Sequence, residues 1–456
     1  MDSKKVRIAY IGGGSRGWAH DLFRDLALSG TLHGEIILHD IDVPAAEANI
    51  PIAQKVFAHP DARSHFDVRV EPELDASLEG ADIVVISIEP GPIEARHADL
   101  VIPEKYGILQ TVGDTTGPGG ILRAVRSTPA FVAFAEAIGR VCPDAWVVNY
   151  SNPMTLCTDL LYRTLPGIKA IGCCHEAFGL QTWFQQRIPQ WYGVEKPPRN
   201  AIRLDLFGVN HFTWSLRAAW QGHDLMPFVG EEIDRRGFFD ALDAGDTAEL
   251  DYEAEILPNR FVGLDFYRRF GVLGAAGCTH LVEFVPWYCG SEESIRRMGA
   301  RRKDYQWRLN NHRAKLERVA MEQGASLVKS CEEGVETMTA LMGGEEFFTN
   351  VNLPNSGQIP WLPRGAMVES NAVFRSDQAL PVVAGTPPLP VQSLIRRVVD
   401  VQMAVGDALV AEDPDAIFAA MLCDPLVCKL RPDQARRMWN EMRADNAEHL
   451  PEWARV

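Results

Sequence analysis

A chain of 456 residues that is 46% hydrophobic and 23% charged has an ordinary globular composition and enough length for two fused substructures around a large core. Its formal charge of −16 argues against nucleic acid as a main partner, and no apolar run reaches membrane-spanning length. The start, MDSKKVRIAYIGGG, enters a strand almost at once with no signal peptide, and nine cysteines, an odd number, are scattered between Cys142 and Cys428, which predicts reduced thiols in a cytoplasm rather than a disulfide framework.

Residues 6–11 (VRIAYI) read as a short strand, followed at once by Gly12-Gly13-Gly14-Ser15-Arg16-Gly17. Gly12, Gly14 and Gly17 fill the glycine positions of G-x-G-x-x-G, and a helix is predicted over 18–29. Glycines there permit a tight turn and close approach of the backbone to a pyrophosphate, which the helix N-terminus then faces. A second strand over 35–38 ends in His39-Asp40-Ile41-Asp42. A carboxylate at that place grips an adenosine ribose, with Asp40 the first choice and Asp42 the second. An acid there favours NAD over NADP, whose 2′-phosphate it repels.

The continuous apolar run 81–88 (ADIVVISI) predicts a parallel strand covered on both faces. The loop 110–120 (QTVGDTTGPGG) has one carboxylate, Asp114, among hydroxyl and amide side chains, and its glycine density suggests close approach to a ligand or cofactor. Ser127-Thr128-Pro129 reads as a helix start with an amphipathic run to Val141 behind it. A strand over 145–148 runs into Asn149-Tyr150-Ser151-Asn152-Pro153, whose amides could meet a sugar or a nicotinamide, ordinary turn chemistry being the alternative.

Two further strand ends carry reactive groups. Residues 168–176 (IKAIGCCHE) run from a strand into Cys173, Cys174, His175 and Glu176, and residues 203–211 (RLDLFGVNH) end in Asn210 and His211. A buried cysteine is usually inert and a lone histidine is usually a hydrogen-bonded core residue. Strand ends of an open α/β sheet share one crevice, so Cys174 and His211 together make a two-point metal site. Two ligands are too few for a closed structural zinc site and suit a catalytic metal completed by water and substrate hydroxyls.

Residues 231–255 are acidic and poor in large apolar groups, as in a surface excursion. Residues 264–280 bring Tyr267, Cys278 and His280, and 281–288 (LVEFVPWY) are apolar around Glu283. The Arg- and Lys-rich stretch 294–324 reads as a long helical, solvated face. Residues 350–360 (NVNLPNSGQIP) read as a loop or edge strand, and 392–411 and 432–444 as helices.

Spread over most of the chain, GGGSRG, QTVGDTTGPGG, VVNYSNPMTLCT, IGCCHE, GVNHFTW and NVNLPNSGQIPWLP together resemble glycoside hydrolase family 4, the NAD- and divalent-metal-dependent glycosidases. IGCCHE with GVNHFTW is most similar to the α-galacturonidase branch. The resemblance implies an α/β architecture of the lactate/malate dehydrogenase kind. Its N-terminal Rossmann-like doubly wound parallel sheet (1–200) binds NAD and ends in the Cys174 strand, and an α+β substrate-binding and oligomerisation domain (201–456) follows. It implies NAD held by Gly12, Gly14, Ser15, Arg16, Gly17, Asp40 and Asn149, and manganese or another divalent metal held by Cys174 and His211. Asn152, Glu176, Asn210 and His280 would contact the sugar, and His175, Tyr267 and Asp114 would be catalytic, with His175 as acid and Tyr267 as the base at C2.

The implied reaction is hydrolysis of an α-galacturonide by transient C3 oxidation, C2 deprotonation and elimination followed by addition of water. The implied setting is a cytoplasmic homodimer or homotetramer with no nucleic-acid or membrane partner. An α-galactoside, α-glucoside or α-glucuronide is the alternative substrate. One departure bears on that choice: the branch implies Gly-Asp-Arg-His ahead of the Glu-Phe pair, and this chain has Gly277-Cys278-Thr279-His280, without the acid or the guanidinium. The rival classes are an NAD-dependent 2-hydroxy-acid dehydrogenase, which would accumulate NADH, and a nucleotide-binding sensor, which has no need of the Cys174–His211 pair.

Overall fold

The computed structural model describes residues 4–236, 260–321 and 327–456, and the excursion expected over 231–255 lies outside them from residue 237 on. Six strands run parallel in one sheet: β1 (Lys4–Ile11), β2 (Leu32–His39), β3 (Phe66–Val70), β4 (Ile83–Ile86), β5 (Trp146–Asn149) and β6 (Lys169–Gly172). Side chains alternate across a strand, so each face needs its own cover. Ile8, Tyr10, Ile83, Val85, Val148 and Ile171 enter one apolar core, while Ala9, Ile11, Val84, Ile86, Val147 and Ala170 enter the other. Burial on both faces is why these strands are continuous apolar runs in sequence, each large side chain contributing roughly 1.5–3 kcal/mol.

A smaller antiparallel sheet follows, from β7 (Ile202–Val209), β8 (Phe212–Trp220), β9 (His223–Asp224) and β10 (Leu273–Gly274). β7 and β8 form a hairpin whose connecting residues are Asn210 and His211, and His211 lies in the left-handed region at φ 64°. Non-glycine residues adopt that conformation uncommonly, histidine more than most.

The chain then returns to the first sheet through β11 (Phe347–Pro354), β12 (Met367–Arg375) and β13 (Gln378–Pro381), all antiparallel to their neighbours. The order is β13-β12-β11-β6-β5-β4-β1-β2-β3, so the larger sheet draws strands from both sides of residue 200. The loop or edge strand expected over 350–360 is corrected here: as far as Pro354 it is an internal strand, with Asn352 in register with Gly172 on one side and Glu369 on the other. Its asparagines disfavour a strand locally but find a buried carboxylate to bind.

Helix Trp18–Ser29 has the predicted bounds, and Leu389–Val410 and Pro432–Asp445 agree to within a few residues. The helix expected to start at Ser127 instead spans Gly117–Val141 and runs straight through Pro129. Ser127 and Thr128 turn their hydroxyls back onto the Arg123 and Ala124 carbonyls, and every residue from Gly117 to Thr128 is buried, so tertiary packing overrides the local stop. The stretch 294–324 splits into Glu292–Arg297 and Tyr305–Met321. No helix among the described residues is long and apolar enough to cross a membrane.

Candidate active site

The glycine loop leaves β1 at Gly12, whose φ is 94°; a Cβ there would sit 2.1 Å from the Ser87 carbonyl oxygen. The amide of Gly14 donates to Asp40 Oδ2 (2.8 Å) and that of Asp42 to Asp40 Oδ1 (2.9 Å), so Asp40 ties the loop to the end of β2. Asp42 caps the next helix through the Ala45 amide (3.1 Å). The N-cap of helix Trp18–Ser29 is Gly17, which has no side chain to cap it, so the helix start is suited to an anion. Ser15 hydrogen-bonds Tyr10, and Arg16 is exposed at the loop's surface. These features fit a dinucleotide phosphate.

The side chain of Asn149, expected to contact the cofactor, is turned onto its own loop. Its amide nitrogen donates to Ser151 O (3.3 Å) and Thr158 Oγ1 (3.0 Å), its oxygen accepts from Ser151 N (2.9 Å), and it is fully buried. Such an asparagine is spent on its own turn.

His211, expected as a metal ligand, meets two residues expected in other roles. One ligand atom each from Asp114, His211 and His280 lie within 4.8 Å of one another, all three residues being buried. The imidazoles stand 3.8 Å apart between centroids. Thr115 Oγ1 donates to Asp114 Oδ1 (2.8 Å) and lies 2.7 Å from His211 Nδ1. Its single proton is used on the carboxylate, so it accepts from Nδ1–H and leaves the Nε2 lone pair of His211 free. His280 Nε2 lies 3.4 Å from Glu176 Oε1, while its buried Nδ1 has no hydrogen-bond partner. An orphaned imidazole nitrogen beside a carboxylate and a second imidazole fits a divalent cation.

Burial and then His280 push the His211 pKa down to about 3, which keeps it neutral and able to ligate. Burial works against the Asp114 carboxylate, but His280, His211, Arg123 and Arg96 outweigh it and hold its pKa below the usual range.

Cys174 stands outside that trio. Its buried thiol is hydrogen-bonded to the Asn210 side chain, so thiol and His211 flank the same hairpin turn. Burial, then the charges of Glu369 and Glu176, push the thiol pKa well up; only a neighbouring cation would make it a thiolate. Glu176 also accepts from the Gly277 amide (2.9 Å), and although burial opposes ionisation, His280 holds its pKa well below the usual value. His175 Nδ1 lies 2.9 Å from Glu332 Oε1, and that partner outweighs burial to raise the imidazole's pKa. Its ring is 5.7 Å from that of Trp18, the first residue after the glycine loop, which joins the two halves of the site. Asn152 Oδ1 accepts from the Met154 amide (3.2 Å).

Tyr267 is not brought to this cluster. It packs at the end of helix Phe261–Phe270 and its hydroxyl donates to the Met226 carbonyl (3.3 Å). The glycines of the 110–120 loop approach protein closely: a Cβ on Gly113 would meet Leu100 at 2.7 Å and one on Gly120 the Thr115 backbone at 2.6 Å.

Two carboxylates escaped notice as site residues. Glu283 Oε1 accepts from the amides of Val112 (2.6 Å) and Gly113 (3.0 Å), just ahead of Asp114. Glu369 on β12 accepts from Asn350 (2.7 Å), Asn210 (3.1 Å) and Asn352 (3.3 Å). For Glu283 the available signal was an acid inside an otherwise apolar run, whereas Glu369 lies beside Ser370 and Asn371 and carried no such signal.

Comparison with known proteins gives this geometry its context. Residues 7–189 match "Family 4 glycosyl hydrolase" and residues 206–427 match "Family 4 glycosyl hydrolase C-terminal domain". The chain is 40% identical over 454 residues to an α-galacturonidase of Thermoanaerobacterium saccharolyticum, covering 98% of this chain and 97% of that one. A Bacillus subtilis structure described as a glucosidase is 36% identical with a TM-score of 0.86, covering 97% of this chain and all (100%) of that one. The fold alone is shared with a 6-phospho-β-glucosidase of Thermotoga maritima solved with manganese, NAD+ and glucose-6-phosphate (TM-score 0.76, 20% identity, 97% and 99% coverage). The same holds for a lactate dehydrogenase from a deep-sea metagenome (TM-score 0.52, 12% identity, 90% and 100% coverage), which agrees with the dehydrogenase-like architecture expected from sequence. The chain belongs to the family 4 glycosyl hydrolases.

Proposed function

We propose that the protein is an NAD- and divalent-metal-dependent α-glycosidase acting on an α-galacturonide. The observation that carries this reading is the buried trio Asp114, His211 and His280 beside Cys174, joined to an uncapped helix start through the His175–Trp18 contact. Identity of 40% to an α-galacturonidase over 98% of the chain supports the sugar. NAD would supply a reversible hydride acceptor and the metal, manganese by preference, a Lewis acid for the sugar oxygens.

Gly12, Gly14 and Gly17, with Ser15, Arg16 and Asp40, would hold the dinucleotide. Asp114, His211 and His280, with Cys174 adjoining, would hold the cation. His175, whose imidazole pKa Glu332 raises, is suited to protonate the leaving group, and Glu176, Asn152 and Asn210 to meet the sugar hydroxyls. Nine free thiols support a reducing, cytoplasmic setting. Apolar side chains exposed at Leu380, Val382, Val383 and Leu389 support a homodimer or homotetramer.

The test is hydrolysis of an aryl α-galacturonide in the presence and absence of NAD+, Mn²⁺ and a thiol reductant. Activity that needs all three, with solvent deuterium at C2 of the product, is the expected outcome. Full activity after exhaustive removal of NAD and metal overturns the reading, and net accumulation of NADH turns it towards a dehydrogenase. The uncharged pair Cys278-Thr279 favours a neutral sugar as the second reading, which an α-galactoside, α-glucoside and α-glucuronide panel decides.

A further inference from the structure

Residues 301–308 belong to the basic stretch expected to be a solvated face, yet they lie against the loop that carries Asp114. Arg302 Nε donates to the Gln110 carbonyl (3.4 Å), the Lys303 amide to the Thr111 carbonyl (2.7 Å) and Arg308 Nη2 to the Val112 carbonyl (3.0 Å). Three successive carbonyls leading to Asp114 are thus gripped by one cationic segment.

Arg302 is spent on carboxylates, pairing with Glu104 and with Glu292 (2.6 Å). Arg308 has no carboxylate partner among the described residues, and its buried Nε has no hydrogen-bond partner. Behind it stands Arg123, 3% exposed, with Nη2 2.9 Å from Glu89 Oε1 and with Nε and Nη1 buried and unpartnered. Glu89 is shared with Arg96 (2.5 Å), so three neighbouring guanidiniums have one carboxylate in contact. The other buried acids here are Asp114, which stands against the His211 and His280 imidazoles, and Glu283, which is occupied by the Val112 and Gly113 amides. The charges of Arg123 and Arg96 reach Asp114, and that of Lys303 reaches His211 and His175. Buried guanidinium donors are expensive when unpaired, and their planar fork matches a carboxylate.

We propose that Arg308 and Arg123, with Lys303 towards His211, form a carboxylate-binding subsite that receives the uronate group of the substrate. The proposal rests on the glycosidase reading above and assigns the cation that Gly277-Cys278-Thr279-His280 does not supply. It turns the 301–308 segment from a solvated face into the wall that selects an acidic sugar over its neutral counterpart.

The test compares wild type, Arg308→Gln, Arg308→Lys and Arg302→Gln on the aryl α-galacturonide and the aryl α-galactoside, with NAD+ and Mn²⁺. Calorimetric binding of free galacturonate and galactose runs in parallel. Loss of a charge-assisted contact should lower the galacturonide-to-galactoside ratio of kcat/KM roughly 10- to 100-fold in Arg308→Gln, mostly through the galacturonide KM. Arg308→Lys should recover part of the ratio, and Arg302→Gln should leave it unaltered. An unchanged ratio in Arg308→Gln, or an equal fall in Arg302→Gln, overturns the subsite. Wild type active on the galactoside alone also overturns it while the glycosidase reading stands. Wild type inactive on both glycosides overturns the glycosidase reading, and galacturonate binding that does or does not depend on Arg308 then decides the subsite by itself.

Discussion

Replacing Glu283 tests whether Asp114 is held in place from below. Glu283 is 1% exposed, and its Oε1 is the acceptor for the amides of Val112 and Gly113, at 2.6 and 3.0 Å. Glu283→Ala leaves two buried donors without an acceptor, which costs about 1–3 kcal/mol for each, hence about 2–6 kcal/mol against the present loop. The loop can escape part of this by opening to water, so the lower figure governs. At ~1.4 kcal/mol per decade, about 2 kcal/mol lowers the ratio of closed to open loop roughly 30-fold and raises the apparent Mn²⁺ Kd by up to as much. Glu283→Gln keeps an oxygen at the same place and loses only the charge assistance, about 1 kcal/mol or roughly fivefold. Titration of Mn²⁺ against each variant, with free ion read by electron paramagnetic resonance, gives the Kd directly. A Glu283→Ala protein that binds Mn²⁺ within about twofold of wild type, a difference of only ~0.4 kcal/mol, would refute the reasoning.

Thr115→Val removes the hydroxyl that donates to Asp114 (2.8 Å) and accepts from His211 Nδ1 (2.7 Å); as an outer partner of the cation site it should cost roughly 10- to 100-fold in Mn²⁺ affinity, with Thr115→Ser close to wild type in the same titration. Gly14→Ala places a Cβ 2.8 Å from Ala45 Cβ and 2.9 Å from Asp40 Oδ2; overpacking of ~1–3 kcal/mol should weaken NADH binding roughly tenfold or more by fluorescence titration, and an unchanged Kd would remove the loop from the cofactor site. Burial raises the Glu369 pKa from 4.5 to about 7. The folded state therefore holds that proton more tightly than the unfolded chain, and the stability it contributes is complete below 4.5 and lost as pH rises to about 7. That loss is at most about 3 kcal/mol, and urea unfolding at both ends of the window should show it in wild type and not in Glu369→Gln.

The dinucleotide half was legible because its signals are local. An apolar run, glycines at fixed offsets, a helix and an acid after the next strand all lie within residues 4–42, and each fell where expected. The cation site was only half legible. Cys174 and His211 announced themselves as reactive groups at strand ends, but nothing in the sequence says that Asp114 and His280 fold onto the same imidazole; that depends on the register of two sheets. Only the start of helix Gly117–Val141 was misplaced, because the burial of residues 117–128 outweighs a Ser-Thr-Pro start signal. The inward hydrogen bonds of Arg302 and Arg308 were not legible because a net charge of −16 averages over the whole surface and does not locate the cations that reach a loop. The place of Tyr267 was not legible either: a tyrosine on an amphipathic helix carries no signal that separates a base from a packing residue.

β11 and β12 explain why the site needs both halves of the chain. Asn350 donates to the Cys174 carbonyl (3.2 Å) and to Glu369 (2.7 Å), and Glu369 also receives Asn210 (3.1 Å), the residue before His211. Asn210 in turn hydrogen-bonds the Cys174 thiol. One buried carboxylate from β12 thereby fastens the end of β6 to the turn between β7 and β8, the two places that carry Cys174 and His211. Such a network is rigid only while every member is paired, because an unpaired polar group in a dry interior is costly. The antiparallel strands are thus more than an extension of a parallel sheet: they fix the spacing between the thiol and the imidazole. Residues 1–200 alone would keep the glycine loop, Asp114 and Cys174, but would lack Asn210, His211, His280 and Glu369, and with them two members of the buried trio and the carboxylate that fastens it.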